Sequence, residues 1–294
     1  MIQAAENLQH VWPWFWPLVV FVFGSCVGSF LNVCIYRIPA GKSIVRPGST
    51  CACGKPIAWY DNIPILSWFL LRGKARCCKR PFSIRYPLVE ALTGCTFLAV
   101  FLQYPLLQTI PLWIFIALLT VGAFIDLDTM ELPDVITIGG TIMGVALAFA
   151  LPQLHECADG PFIADSIRSG TLAILGAAVG SGIIVWIREI GQMAFRREAM
   201  GFGDVVLMGL IGAFCGWKGA LCAIFGGSVL GALLMIPWTL FLRFSARKKE
   251  QPLPDTAIPF GPWLALGAAA YVLIPWVRTG VDSYLANIQT LMFP

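Results

Sequence analysis

Long apolar runs joined by short polar connections leave this chain few ways to fold in water. Eight runs span roughly 12–37, 87–106, 110–126, 134–152, 169–188, 204–217, 219–243 and 258–277. A helix needs about 20 apolar residues to cross the hydrocarbon core of a bilayer. Only helices or closed barrels satisfy their backbone polar groups there. The runs are continuous and lack two-residue alternation, so they read as helices and not as a barrel. With 58% hydrophobic and 12% charged residues in a chain of 294, composition points the same way. The expected fold is an all-α polytopic membrane protein of about eight transmembrane helices, with one small cytoplasmic module between the first and second. Glu6, with no Lys or Arg before the first run, makes that run a retained helix and not a cleaved signal.

Charge placement orients this arrangement. With both termini outside, the inside loops hold 17 of the 20 Lys and Arg: ten in 37–86, three in 188–204 and four in 243–257. Only Arg168, Lys218 and Arg278 fall outside, as the positive-inside rule expects. The 126–134 loop breaks the pattern, carrying Asp126, Asp128, Glu131 and Asp134 with no cation. Asp128, Glu131 and Asp134 suit a solvated loop, and Asp134 after Pro133 also suits a helix cap. Asp126 ends the apolar Leu112–Ile125 stretch, where an ionisable group is costly and so points to function.

A second acid, Asp204, follows Gly201-Phe-Gly203 between two apolar runs, and glycines there suit a strained turn presenting a carboxylate. An ordinary loop with Asp204 as a helix cap is the plain alternative. Two carboxylates at one membrane face can act as general base and general acid on a single water, the chemistry of an aspartic peptidase. The two histidines, His10 and His155, both fall on the expected outer side, which disfavours a Ser-His or Cys-His hydrolase on the inner face.

The polar stretch contains Cys51, Cys53, Cys77 and Cys78. Two cysteine pairs separated by a loop point to a structural tetrathiolate zinc site, which can fold a module too small to bury much core. A metal-free module and a redox disulfide are the alternatives, the latter disfavoured by a reducing cytoplasm. Arg72, Lys74, Arg76, Lys79, Arg80 and Arg85 read as contacts to anionic lipid headgroups in preference to nucleic acid. Trp12, Trp14, Trp16 and Trp59 read as interfacial anchors.

Several motifs together resemble the bacterial type IV prepilin leader peptidases, a bifunctional peptidase and N-methyltransferase family. They are Gly28-Ser-Phe-Leu-Asn-Val33 with Tyr36-Arg-Ile-Pro39, Trp59-Tyr-Asp-Asn-Ile-Pro64, Ser67-Trp68, Arg85-Tyr-Pro-Leu-Val-Glu90 and Ile258-Pro-Phe-Gly-Pro262. The resemblance covers most of the chain and implies cleavage of prepilin or pseudopilin leaders, then methylation of the new N-terminus by S-adenosylmethionine. It implies Asp126 and Asp204 as the catalytic pair, matching the Ile-Asp-x-Asp and Gly-x-Gly-Asp motifs. It implies a multi-pass bacterial inner-membrane protein whose peptidase site faces the cytoplasm. The corresponding domains are a first segment and helix over 1–36, a methyltransferase-associated cysteine module over 37–86 and a peptidase domain over 87–294. Two departures stand out. The family's Cys-x-x-Cys pairs would place their first cysteines where this chain has Thr50 and Ala75, and its frequent Lys two residues after the second aspartate is Val206 here. No glycine-rich nucleotide fingerprint marks the cofactor's contacts; Glu90 and Asn32 are polar groups near the inner face that suit either a role there or helix-end satisfaction. A proton-coupled transporter using the same aspartates and a non-catalytic assembly factor are the rival classes; no inverted repeat favours the transporter. Nothing in the pattern sets an oligomeric state.

Overall fold

A computed structural model describes residues 12–51, 53–196, 200–248 and 259–292, all of whose extended elements are helices. Glu6, His10 and Ile258 lie outside the described residues, as do parts of the two later basic loops. The helices are α1 Phe15–Arg37, α2 Leu66–Leu70, α3 Arg85–Gln103, α4 Leu106–Thr129, α5 Asp134–Ala150, α6 Phe162–Phe195, α7 Phe202–Lys248, α8 Gly261–Leu273 and α9 Pro275–Met292. The chain divides into two compact units, Met1–Val121 and Gly122–Pro294, with α4 contributing residues to both.

Among the described residues five helices are long and apolar enough to cross a membrane, and six if the bent pair α8–α9 counts as one span. Length and composition therefore do not confirm the expected eight crossings. α5, the fourth run, has 17 residues. The sixth and seventh runs are the two helical halves of α7, separated at Gly216, whose φ of 65° and ψ of −178° leave the helical region. Glycine adopts that conformation without a Cβ penalty. Beside the break, His155 Nε2 donates to the Ala213 carbonyl at 3.1 Å. A carbonyl can only accept, so the tautomer carries its proton on Nε2, and burial holds the ring's pKa below its usual value. α9 turns 90° away from α8; ion pairs tie its Asp282 to Lys218 and its Arg278 to Glu156.

Within the first unit α1 and α3 pack through small residues. A Cβ on Gly24 would lie 2.9 Å from Gly94 Cα, and one on Gly28 would lie 2.8 Å from Glu90 Cα. Without a hydrophobic force between helices in lipid, such close backbone approach is what allows them to associate. Phe97 and Trp113 stack at 5.1 Å between ring centroids, and the indole Nε1 donates to the Phe97 carbonyl at 2.9 Å. Gly28→Leu is expected to lower stability by about 1–3 kcal/mol or more through overpacking; thermal unfolding in detergent measures it, and an unchanged midpoint contradicts the packing described.

In the second unit α6, α5 and α8 pack against α7, again with glycine at the closest points. A Cβ on Gly144 would lie 2.7 Å from the Phe214 ring, and one on Gly227 would lie 2.6 Å from the Trp263 carbonyl oxygen.

Candidate active site

α4 ends three residues after Asp126, at Thr129. Met130 takes a left-handed φ of 54°, and its N–H bonds the Asp126 carbonyl at 2.9 Å, closing the helix as glycine more often does. The chain then runs through Leu132 and Pro133 into α5. Asp126 is 5% exposed, whereas Asp128, Glu131 and Asp134 are exposed. Asp204 lies in the first turn of α7 and is 7% exposed.

Asp126 and Asp204 line one open cavity of about 590 Å³, together with Met130, Met200, Ser228, Met235, Ile236, Phe260 and Trp263. Asp126 Oδ2 is buried without a hydrogen-bond partner. An unpaired buried carboxylate oxygen is costly unless the group is protonated or a ligand or water meets it. The wall of methionine, isoleucine and aromatic side chains suits an apolar polypeptide, with the two acids as its few polar points.

Gly203 is not at the strained turn that Gly201-Phe-Gly-Asp204 led one to expect. It lies inside α7 and has no positive φ. Its missing side chain is needed for packing instead: a Cβ would lie 3.1 Å from Leu132 Cβ. Gly201 has nothing nearer than 4.0 Å. Leu132 also lies beside Gly122 and Gly261, so one leucine of the Leu-Pro-Asp motif seats three backbone segments under the site. Gly261, at the start of α8, approaches most closely: a Cβ there would lie 2.5 Å from Asp126 Oδ2. Neither role is legible from residue type or spacing, since both depend on which backbones meet.

The first unit holds the cysteine cluster. Cys51 and Cys78 Sγ are 3.5 Å apart, Cys53 and Cys77 Sγ 3.4 Å, and all four lie within 4.8 Å of one another. A tetrahedral ion with bonds of about 2.3 Å to sulfur sets its ligands about 3.8 Å apart. The shifted spacing and the adjacent Cys77-Cys78 therefore fit one ion. Two hairpin-like turns bring the pairs together: the Cys51 N–H bonds the Lys55 carbonyl at 2.8 Å, and the Ala75 N–H bonds the Arg80 carbonyl at 2.9 Å. The Cys53 backbone N–H, followed by the neighbouring thiols, draws the Cys51 pKa down to about 7. Asn32, buried near the C-terminal end of α1, donates to the Tyr86 carbonyl at 3.1 Å.

Comparison with known proteins agrees with this division. A family model described as Bacterial Peptidase A24 N-terminal domain matches residues 22–104, and one described as Type IV leader peptidase family matches residues 113–236. The chain is 36% identical to the prepilin leader peptidase/N-methyltransferase of Myxococcus xanthus (strain DK1622), over 91% of this chain and 93% of that one. This chain belongs to the type IV leader peptidase family. Other members include the prepilin leader peptidase/N-methyltransferases of Aeromonas hydrophila, 31% identical over 96% of this chain and 98% of that one, and Dickeya chrysanthemi, 33% identical over 88% and 93%. No solved structure matches. In this leader peptidase the cavity with its two acids falls within the unit from Gly122, and the thiol cluster within the unit ending at Val121.

Proposed function

We propose that this protein cleaves the leader of type IV prepilins or pseudopilins with Asp126 and Asp204, then methylates the new N-terminal amine. The observation that carries the peptidase reading is the meeting of two buried carboxylates, 78 positions apart in sequence, at one open and largely apolar cavity. The pair shares one proton. The ionised member takes a proton from water as it attacks the scissile carbonyl, and the protonated member donates to the carbonyl oxygen. The tetrahedral intermediate collapses when the leaving amine is protonated from the pair, with no acyl-enzyme. The Met235, Ile236 and Trp263 wall holds the apolar segment beyond the scissile bond.

The bias of basic loops supports an inner-membrane protein with this site facing the cytoplasm and both termini outside. Lys and Arg around α2 and α3 support contact with anionic headgroups. A transporter would also place acids in a cavity, but the methionine-rich wall and membership of a peptidase family favour cleavage.

Zinc on Cys51, Cys53, Cys77 and Cys78 would cross-link the two turns of the module and take no part in hydrolysis. We expect about one zinc per purified chain, lost in Cys53→Ser and Cys78→Ser variants; metal analysis near zero in chelator-free preparations overturns this. S-adenosylmethionine, when bound, supplies the methyl group. The exposed rings of Trp59 and Tyr60, 5.7 Å apart, are aromatic surfaces suited to an adenine.

The test is direct. Detergent-purified protein is incubated with a prepilin and labelled S-adenosylmethionine, and mass spectrometry follows the leader and the new N-terminus. Both products are expected, and serine- or cysteine-directed reagents leave cleavage intact. Strong block by an alkylator would implicate a thiol instead.

A further inference from the structure

Among the described residues cleavage leaves two buried acids unused, Glu90 and Asp165, and Asp165 accepts the N–H of Gly160, just ahead of its own helix, at 3.0 Å. Glu90 on α3 is 8% exposed and accepts a hydrogen bond from the backbone N–H of Ile65 at 2.7 Å. Ile65 has φ 63° and ψ −56°. The Leu66 N–H closes back onto the Pro64 carbonyl at 2.6 Å, so Ile65 sits at the centre of a γ-turn with positive φ, a rare and strained conformation. A β-branched residue is a genuine outlier there. Such strain persists only where the surroundings over-determine it, and it clusters at functional sites.

The bonds around the turn lead outward to a surface. Ser67 Oγ donates to the Tyr60 carbonyl at 3.3 Å, fixing the 3-10 turn Trp59–Asp61 relative to the start of α2. Asp61 accepts two bonds from Arg76, at 2.8 and 2.9 Å, and Arg76 precedes the Cys77-Cys78 pair. Trp59, at 81% exposure, and Tyr60 stand open at the end of this chain of contacts. A buried carboxylate on a membrane helix thus restrains a turn whose outer end presents the exposed Trp59 ring and the Tyr60 ring, over which the Arg76 guanidinium lies at 5.7 Å.

We propose that Glu90 is a positioning residue for methyl transfer: by holding the strained turn at Ile65 it sets the Trp59–Asn62 segment as the surface where an adenine-bearing methyl donor binds. This rests on the reading that the chain methylates its cleaved product. Glu90 acts through the backbone and touches neither reactant.

The distinguishing experiment compares Glu90→Ala, Glu90→Gln and Glu90→Ala combined with Ile65→Gly in the full-length protein. Methylation of a pre-cleaved pilin, leader cleavage, metal content and amide exchange at Ile65 are each measured. Glu90→Ala is expected to lower methylation at least tenfold, mainly through a raised KM for S-adenosylmethionine, and to accelerate exchange at Ile65, with cleavage and metal content unchanged. Glu90→Gln keeps an acceptor oxygen in place and stays within about threefold of wild type. Ile65→Gly removes the strain and restores methylation in the Glu90→Ala background at least threefold. Unchanged methylation in Glu90→Ala overturns the proposal, as does failure of Ile65→Gly to rescue it, or loss of both activities in Glu90→Gln. If the wild-type protein adds no methyl group, the methyltransferase reading fails instead, while exchange at Ile65 still reports whether Glu90 holds the turn.

Discussion

On the proposed mechanism, Asp126→Asn and Asp204→Asn are each expected to reduce leader cleavage by roughly 10⁴-fold or more, the scale seen when one member of a cooperating catalytic set is removed. Asparagine keeps the shape of aspartate but neither takes a proton from water nor gives one to the carbonyl oxygen, so each substitution removes half of a base–acid pair. The double variant is no worse than either single one, because the two groups act as a unit. Methylation of a pre-cleaved substrate continues in both. Asp128→Asn, at an exposed position two residues further on, retains cleavage within a few-fold. A protein that still cuts at a tenth of the wild-type rate after loss of either buried acid does not use this mechanism.

Gly261→Ala is the second large effect, and it involves no change in ionisable groups. The added Cβ would lie 2.5 Å from Asp126 Oδ2, closer than side-chain carbons approach any atom without movement. Either the start of α8 or the carboxylate must shift by several tenths of an ångström to about 1 Å, and misplacement on that scale costs about 10²-fold in rate. The loss appears mainly in kcat, since Met235 and Ile236 of the apolar wall lie on α7, away from the substituted position. Gly139→Ala on α5, with open space around it, serves as the control and leaves cleavage unchanged. Wild-type kcat in Gly261→Ala would mean that the contact with Asp126 is not part of the working site.

The membrane class and the helical build were legible in the sequence because each follows from local chemistry, whereas choosing Asp126 over Asp128 took the family resemblance. Long apolar runs need lipid, and a carboxylate at the end of such a run needs a reason. Helix length and composition do not confirm the count of eight crossings. A single residue, Gly216, decides whether two apolar runs are separate or one broken helix, and hydropathy does not register a backbone dihedral. The cysteine spacing looked unfavourable for one ion, yet the turns bring four sulfurs together, because turn geometry rather than residue count sets where Sγ atoms meet. The glycines of Gly201-Phe-Gly-Asp204 pointed to strain, whereas Gly203 serves a close contact with Leu132.

The amino-acid order by itself determined that this chain is a helical membrane protein with acids where lipid disfavours them, since burial of apolar surface and the need to satisfy backbone polar groups act residue by residue. Only the tertiary structure decided which acids share a cavity, why Gly261 leaves room for Asp126, and that Glu90 restrains a strained turn at Ile65. Those outcomes depend on distances between segments far apart in the chain, which packing sets and no local pattern encodes.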